Sequence, residues 1–377
     1  MNYRKFKAAD MDVSLLGFGA MRLPILDDDA AKIDEAESIK MIRYAIDSGV
    51  NYIDTAYVYH MTQGEILVGK ALEDGYRDKV FVATKMAYWR LNSPDEMQWM
   101  LDTQLEKLQT DHIDMYLVHD VNSNKWGQII DWKIWDFLER QREAGKIRFI
   151  GFSFHGESPE EFKMVLDTYP WDFVQLQMNY MDKDIQAGME GFEYAVSKGV
   201  PVIVMEPLKG GKLAEVINPN IQNYWDSLRS DRTPAEWAMR WAANLPGVLT
   251  ILSGMGTMEQ VEENIRVLSD ADEGMLSEAE LKIIEKVAEE YRNQIVYHCT
   301  GCKYCLPCPE NLNIPVLINF RNAFELYGNA EKMKSAEYGF LVKIPPSTCT
   351  ACGKCESECP QHIEIIRALK ETSEIFE

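Results

Sequence analysis

Along the first 290 residues, short apolar runs rich in β-branched residues alternate with longer stretches whose apolar positions recur every three or four residues. The first pattern predicts buried strands and the second amphipathic helices. Strands are predicted over 15–20, 50–54, 80–84, 113–118, 147–152, 173–177, 202–205 and 248–252. Helices are predicted over 38–48, closed by Gly49, over 64–73, over 95–109 behind the start signal Ser93-Pro94, and over 132–144 and 159–167. Three more begin near Lys183, Thr233 and Thr257. Eight strand-then-helix units predict parallel strands, and eight is the number that closes a (β/α)8 TIM barrel of about 250 residues. An open doubly wound sheet is the alternative, weakened because no G-x-G-x-x-G follows the first strand. Residues 277–291 (SEAELKIIEKVAEEY) predict a further amphipathic helix, expected to cap the barrel. The segment 209–232, with Gly210-Gly211, Tyr224 and Trp225, is long for a strand-to-helix loop and reads as a lid over the strand ends.

Beyond the barrel pattern the cysteines change the picture. All eight fall in two runs near the C-terminal end. Cys299, Cys302, Cys305 and Cys308 form C-x2-C-x2-C-x2-C-P, and Cys349, Cys352, Cys355 and Cys359 form C-x2-C-x2-C-x3-C-P. The second spacing is that of bacterial ferredoxins, and the first is one residue shorter in its last gap. Three closely spaced thiolates can wrap three corners of an iron–sulfur cube, with the fourth ligand coming from the other run. Two 4Fe–4S clusters follow, one on Cys299, Cys302, Cys305 and Cys359, the other on Cys349, Cys352, Cys355 and Cys308. Pro309 and Pro360 come directly after the fourth cysteines, where proline turns the chain away. Structural zinc needs four ligands per site and no third evenly spaced thiolate. Disulfides between such close cysteines would be strained. About forty residues with helical patterning, as over 314–327, separate the runs. The reading is therefore a barrel over 1–294 and a small, mainly helical ferredoxin-like domain over 295–377.

Charge narrows the partners. Sixty acidic and 39 basic residues leave a formal charge of -21. That excludes nucleic acid, whose phosphates need a basic face, and anionic membrane surfaces. An electron carrier with a basic patch would be steered favourably, although ordinary solubility explains the charge as well. No apolar run approaches the ~18 residues of a membrane span. No secretory signal is recognisable, so a reducing compartment, the cytoplasm, is expected for the cysteines.

Catalytic groups of such barrels sit at the C-terminal ends of strands. Asp54 ends the second predicted strand, with Tyr59 in the loop beyond it, Lys85 follows the third and His119 the fourth. The motifs are NYIDTAYVY (51–59), FVATK (81–85) and DMYLVHD (114–120), with GFGAMRLP (17–24), IGFS (150–153) and QVEENI (260–265). Together, over roughly residues 1–290, they resemble the aldo-keto reductase family, here in an iron–sulfur-containing branch. The resemblance implies an oxidoreductase with Asp54, Tyr59, Lys85 and His119 as catalytic residues. Tyrosine has an ordinary pKa of about 10. The ammonium of Lys85, held by Asp54, is expected to lower it, so that Tyr59 gives a proton to a carbonyl oxygen as hydride reaches carbon. His119 would hydrogen-bond the same oxygen.

The resemblance also implies a nicotinamide cofactor across the strand ends. Ser153 and Gln175 would hold the carboxamide. Gly19, Met21, Arg22, Asp54, Met205, Pro207, Leu208 and Ser253 would line the cofactor, and Gly254, Met255, Gln260 and Asn264 would lie by its adenosine end. The chain departs from the family in three places. Phe154-His155 stands where Asn usually follows the serine, and Met205-Glu206-Pro207 replaces an aromatic that stacks on nicotinamide. SGMGTMEQ (253–260) lacks the Lys and Arg that usually grip the 2'-phosphate. NAD(H), NADP(H) and a flavin all stay open. His155 and Glu206 would face cofactor or substrate; alternatively His155 bonds a neighbouring backbone and Glu206 pairs with Lys209 or Lys212.

Nicotinamide moves two electrons and a cluster one, so three readings follow. The barrel is a carbonyl reductase with a small-molecule carbonyl or alcohol substrate. Or a flavin couples the barrel site to the clusters in an electron-transfer oxidoreductase. Or the chain is an electron-carrier subunit with a non-catalytic barrel, which has no need of the four residues.

Overall fold

The computed structural model describes the chain except residues 9, 28, 216–217, 229, 300–303, 329, 335–337 and 360, and the side chains at 123, 124, 332 and 340. It divides into two compact units, Met1–Ala214 with Arg232–Glu278, and Glu215–Asp231 with Ala279–Glu377.

In the first unit eight parallel strands close a barrel in chain order, the eighth pairing with the first. They are Leu16–Gly19, Tyr52–Asp54, Phe81–Met86, Ile113–Val121, Ile147–Phe154, Phe173–Gln177, Val202–Met205 and Val248–Ser253. Each lies on a predicted run, because strands covered on both faces read as continuous apolar segments. Side-chain caps start several helices. Asp34 accepts from Glu37 N ahead of Glu35–Asp47, Ser158 from Glu161 N ahead of Pro159–Leu166, and Thr257 from Gln260 N ahead of Met258–Ser269.

Several parts differ from the sequence-based expectation. An antiparallel hairpin, Tyr3–Phe6 with Met11–Ser14, precedes the barrel. Its Phe6 and Val13 are fully buried with Tyr52, Phe81, Phe173 and Leu249, all at the beginnings of barrel strands, so the hairpin plugs that end. The helix expected near Lys183 begins at Gly188. Asn179 Oδ1 accepts from Met181 N and Asp182 N, both at 3.0 Å, and this side-chain turn holds the preceding residues out of the helix. Segment 209–232 is not one open loop. It contains the helix Pro219–Ser227, whose residues belong to the second unit. The same holds for Glu278–Asn293 from Ala279 onward, expected as a cap on the barrel.

The second unit is mainly helical. Ile314–Tyr327, stopped by Gly328 at φ +63°, packs on Ile365–Phe376. Leu317, Ile318, Ile365, Ala368 and Leu369 form its core. No helix among the described residues is long and apolar enough to cross a membrane.

Candidate active site

Asp54 pairs in register with Ala83, so Lys85, two residues further along the third strand, shares its face at the C-terminal end. Lys85 is fully buried and Asp54 nearly so. Lys85 Nζ donates to Asp54 Oδ1 at 2.7 Å, to the Thr55 carbonyl at 2.8 Å and to Tyr59 Oη at 3.3 Å, using all three ammonium protons. Behind it, Gln104 Nε2 donates to the Lys85 carbonyl at 3.1 Å and to Glu65 at 2.7 Å, and Tyr116 donates to Gln104 Oε1 at 2.6 Å. This buried network fixes the strand carrying the lysine.

Tyr59 opens a turn in which His60, Met61 and Thr62 all take left-handed backbone, at φ 49°, 51° and 74°. Such backbone costs a non-glycine residue about 1–2 kcal/mol. His60 Nδ1 lies 3.2 Å from the Ala30 carbonyl, and Gly64 lets the chain return so closely that a Cβ there would meet Tyr59 Cβ at 3.2 Å. His119 sits where the register between the fourth and fifth strands slips, between Val118 and Val121, with Asp120 at φ 54°. A bulge of this kind re-aims a side chain at a strand end. The His119 ring stands edge-on to Tyr59 with centroids 6.2 Å apart.

Burial pushes the Tyr59 phenol above its ordinary pKa, against the pull of the Lys85 ammonium. The lowering expected from Lys85 is thus present as an opposing effect, and desolvation of the phenolate exceeds it. Burial works against the Lys85 charge too, but Asp54 and Tyr59 outweigh it and hold the ammonium. Burial, with Lys85, His155 and Lys125 adding, pushes His119 well below the ordinary histidine range, so its imidazole is neutral.

Ser153 and Gln175 face each other across the fifth and sixth strands. Ser153 Oγ accepts from Asp120 N at 2.9 Å, and Gln175 Nε2 lies 3.4 Å from Met205 Sδ. Gln175 Oε1 is buried without a hydrogen-bond partner among the described residues. A buried amide oxygen with an adjacent hydroxyl fits a carboxamide, which brings both donors and an acceptor. At the junction of the first and eighth strands the approach is close. A Cβ on Gly19 would come 3.1 Å from the Ser253 carbonyl, and one on Gly254 would come 3.1 Å from the Arg22 side chain. Asn264 Nδ2 donates to Ser253 Oγ at 2.9 Å, Gln260 Oε1 accepts from Gly256 N at 2.8 Å, and Met255 is buried. Pro207 is buried, Leu208 half-buried and Met21 exposed.

His155 directly follows the fifth strand and is half-buried, and Glu206 directly follows the seventh and is exposed. The His155 backbone N–H donates to Val121 O at 3.1 Å. Lys209 pairs with both oxygens of Asp182 at 2.6 Å rather than with Glu206.

In the second unit, Cys308 lines one cavity together with Cys349, Cys352 and Cys355, and Cys305 also borders it. Spacing alone suggested that Cys308 crosses to the second run, and the fold brings these four together. Cys299 and Cys359 pack against the same apolar core. Cys302 and Pro360 lie outside the described residues. Cys355 is buried, Cys305, Cys308 and Cys349 are half-buried and Cys352 is exposed, and a donor set of cysteine sulfurs around one cavity fits an iron–sulfur cube.

The model of the aldo/keto reductase family matches residues 15–289. The chain belongs to the aldo/keto reductase family. A 4Fe-4S dicluster domain matches residues 298–364. L-galactose dehydrogenase of Arabidopsis thaliana is 28% identical over 307 residues, 75% of this chain and 93% of that one. Aldo-keto reductase YhdN of Bacillus subtilis is 31% identical over 208 residues, 52% of this chain and 60% of that one. Among solved structures, the holo form of aldo-keto reductase AKR11C1 from Bacillus halodurans is 26% identical with a TM-score of 0.62, covering 76% of this chain and 96% of its own. The protein is an aldo/keto reductase-type oxidoreductase carrying a 4Fe-4S domain.

Three residues of this reductase's mouth were missed in the sequence. Trp89 lies 5.1 Å from His119 between ring centroids, Lys125 Nζ stands 4.2 Å from the Trp89 ring, and Lys125 pairs with Asp120. Asp120 was inside a recognised motif and Trp89 only four residues past Lys85. Lys125 belongs to the helix Ser123–Asp131, a segment without a recognised helical pattern.

Proposed function

We propose that the barrel interconverts a carbonyl and an alcohol with a nicotinamide cofactor and Tyr59 as acid/base. The observation that carries this is Lys85 Nζ, 2.7 Å from Asp54 and 3.3 Å from Tyr59 Oη. A nicotinamide bound across the strand ends supplies or takes the hydride. Tyr59, kept a phenol by burial, gives its proton to the carbonyl oxygen as carbon is reduced. The phenolate left behind is stabilised by Lys85, whose own charge Asp54 holds. Neutral His119 donates one N–H to the same oxygen and orients it. In the opposite direction the Tyr59 phenolate takes the alcohol proton. Ser153 and Gln175 hold the carboxamide. Arg22, lying on Gly254, is a cation available to a cofactor phosphate, of NAD(H) or NADP(H). Lys125 and its partner Asp120 set charged groups beside Trp89, which suits a small hydroxylated carbonyl compound, in keeping with the sugar named for the plant relative. Tyr59→Phe is expected to bind nicotinamide as the parent does and to lose turnover on such compounds by about 10²–10⁴-fold. Undiminished turnover would overturn the assignment.

The second unit is proposed to hold two 4Fe–4S clusters, on Cys299, Cys302, Cys305 and Cys359 and on Cys349, Cys352, Cys355 and Cys308. The cavity shared by Cys308 and the second run supports the crossed arrangement. That donor set also favours a second reading, in which a flavin, here or on a partner, couples the barrel site to the clusters. An anaerobic visible spectrum tests both points. The cluster band should fall by about half in Cys308→Ser, as loss of one of two clusters requires. Bleaching by NADH supports the flavin-coupled reading, and an unchanged band rejects a flavin in this chain and leaves the clusters structural or fed by another protein.

A further inference from the structure

We propose that Glu206 favours carbonyl reduction in this barrel, by holding a carboxylate beside the nicotinamide ring that becomes cationic when its hydride leaves. The proposal rests on the nicotinamide reading above.

Four observations converge on Glu206. It directly follows Met205, whose sulfur contacts Gln175, the residue assigned to the carboxamide. Its backbone is left-handed at φ 52°, an unfavourable state for glutamate and one that the following Pro207 does not relieve. Asn179 Nδ2 donates to the Glu206 carbonyl at 3.2 Å and to Asp182 at 3.0 Å, so the strained residue is held from the neighbouring loop. Lys209, the nearest cation in sequence, is occupied by Asp182, and no ion pair to Glu206 is present among the described residues. No cation among the described residues therefore pairs with this exposed side chain, and Glu206 acts electrostatically on both Tyr59 and His155.

The consequence is electrostatic. Reduced nicotinamide is neutral and the oxidised ring carries a positive charge. In carbonyl reduction the carbonyl carbon gains the hydride and its oxygen gains the Tyr59 proton, the carbonyl becoming an alcohol as the ring is oxidised. Glu206 stabilises the positive charge that develops as the hydride departs, and so lowers the barrier in this direction. The same interaction makes the oxidised cofactor bind more tightly relative to the reduced one.

Titration of the intact protein with oxidised and reduced nicotinamide, followed by calorimetry, tests this without turnover. In Glu206→Gln the ratio of the two dissociation constants should shift about five- to tenfold against the oxidised form. The shift should shrink at about 1 M salt, where charge interactions at an exposed site are screened. Glu206→Asp, which keeps the charge and tolerates left-handed backbone, should keep most of the parent ratio. An unchanged ratio in Glu206→Gln, or an equal loss in Glu206→Asp, would overturn the proposal while leaving nicotinamide binding intact. Binding of neither form by the parent would overturn the nicotinamide reading and this proposal with it.

Discussion

Tyr59 illustrates how a single residue's chemistry depends on two opposed effects. The ammonium of Lys85 draws its proton off, and burial keeps the proton on. Burial prevails, so the phenol is the resting form, and in the proposed reaction the phenolate exists only transiently beside Lys85. The sign of the pH dependence follows. Carbonyl reduction needs the phenol, so its kcat/KM should stay level from about pH 6 to about pH 9 and fall only at alkaline pH, above the ordinary tyrosine value of about 10. Alcohol oxidation needs the phenolate, so its kcat/KM should rise with pH throughout that range. Neither profile should bend near the ordinary histidine pKa of about 6.5, because burial keeps His119 neutral well below it. Rate profiles in both directions check this, and an acid limb near 6.5 would mean that His119 titrates in the open.

Elements matter here by where they stop and what they aim. The slip between the fourth and fifth strands turns His119 and Asp120 toward the mouth, something a regular ladder would not do. The Asn179 turn delays the following helix and, through Lys209 and Asp182, ties the loop after the sixth strand to the loop after the seventh. The N-terminal hairpin serves stability at the other end. Phe6 is fully buried, with its ring 4.9 Å from that of Phe149, inside the barrel's own core. Phe6→Ala should therefore cost about 3–5 kcal/mol, seen as a lower urea midpoint, while the arrangement around Lys85 and its activity persist in the folded fraction. A shift below about 1 kcal/mol would mean that the hairpin is only laid over the barrel end.

At the scale of the whole molecule, two chemistries share one chain. The barrel unit carries Asp54, Tyr59, Lys85 and His119, the residues of the proposed proton chemistry, and the second unit carries all the cysteines. The second unit's core joins Leu317, Ile318, Ile365, Ala368 and Leu369 of two helices with Tyr297, Leu312, Cys355 and Ile363 from outside them, and five more cysteines pack against it. Metal ligation by cysteines so placed would add to the stability of the unit. Segment 215–231 shows that the units are not simply consecutive, since it lies between barrel elements in sequence and groups with the second unit.

The barrel, the cysteine runs and the residue types at the strand ends were legible in the chain because each depends on local spacing. Apolar runs of strand length, helices begun at Asp34, Ser158 and Thr257, and cysteines two residues apart all declare themselves within a few positions. Asp54, Lys85 and His119 were readable for the same reason, as polar residues closing apolar strands. What required the tertiary structure are properties set by residues far apart in sequence. The hairpin's Phe6 and Val13 are ordinary in sequence and buried only because strand beginnings surround them. Cys308 meets Cys349, Cys352 and Cys355 across about forty residues, through the packing of two helices. The Tyr59 proton and the neutral His119 ring are decided by desolvation and by neighbours on other strands, because electric fields and burial act through space and not along the chain.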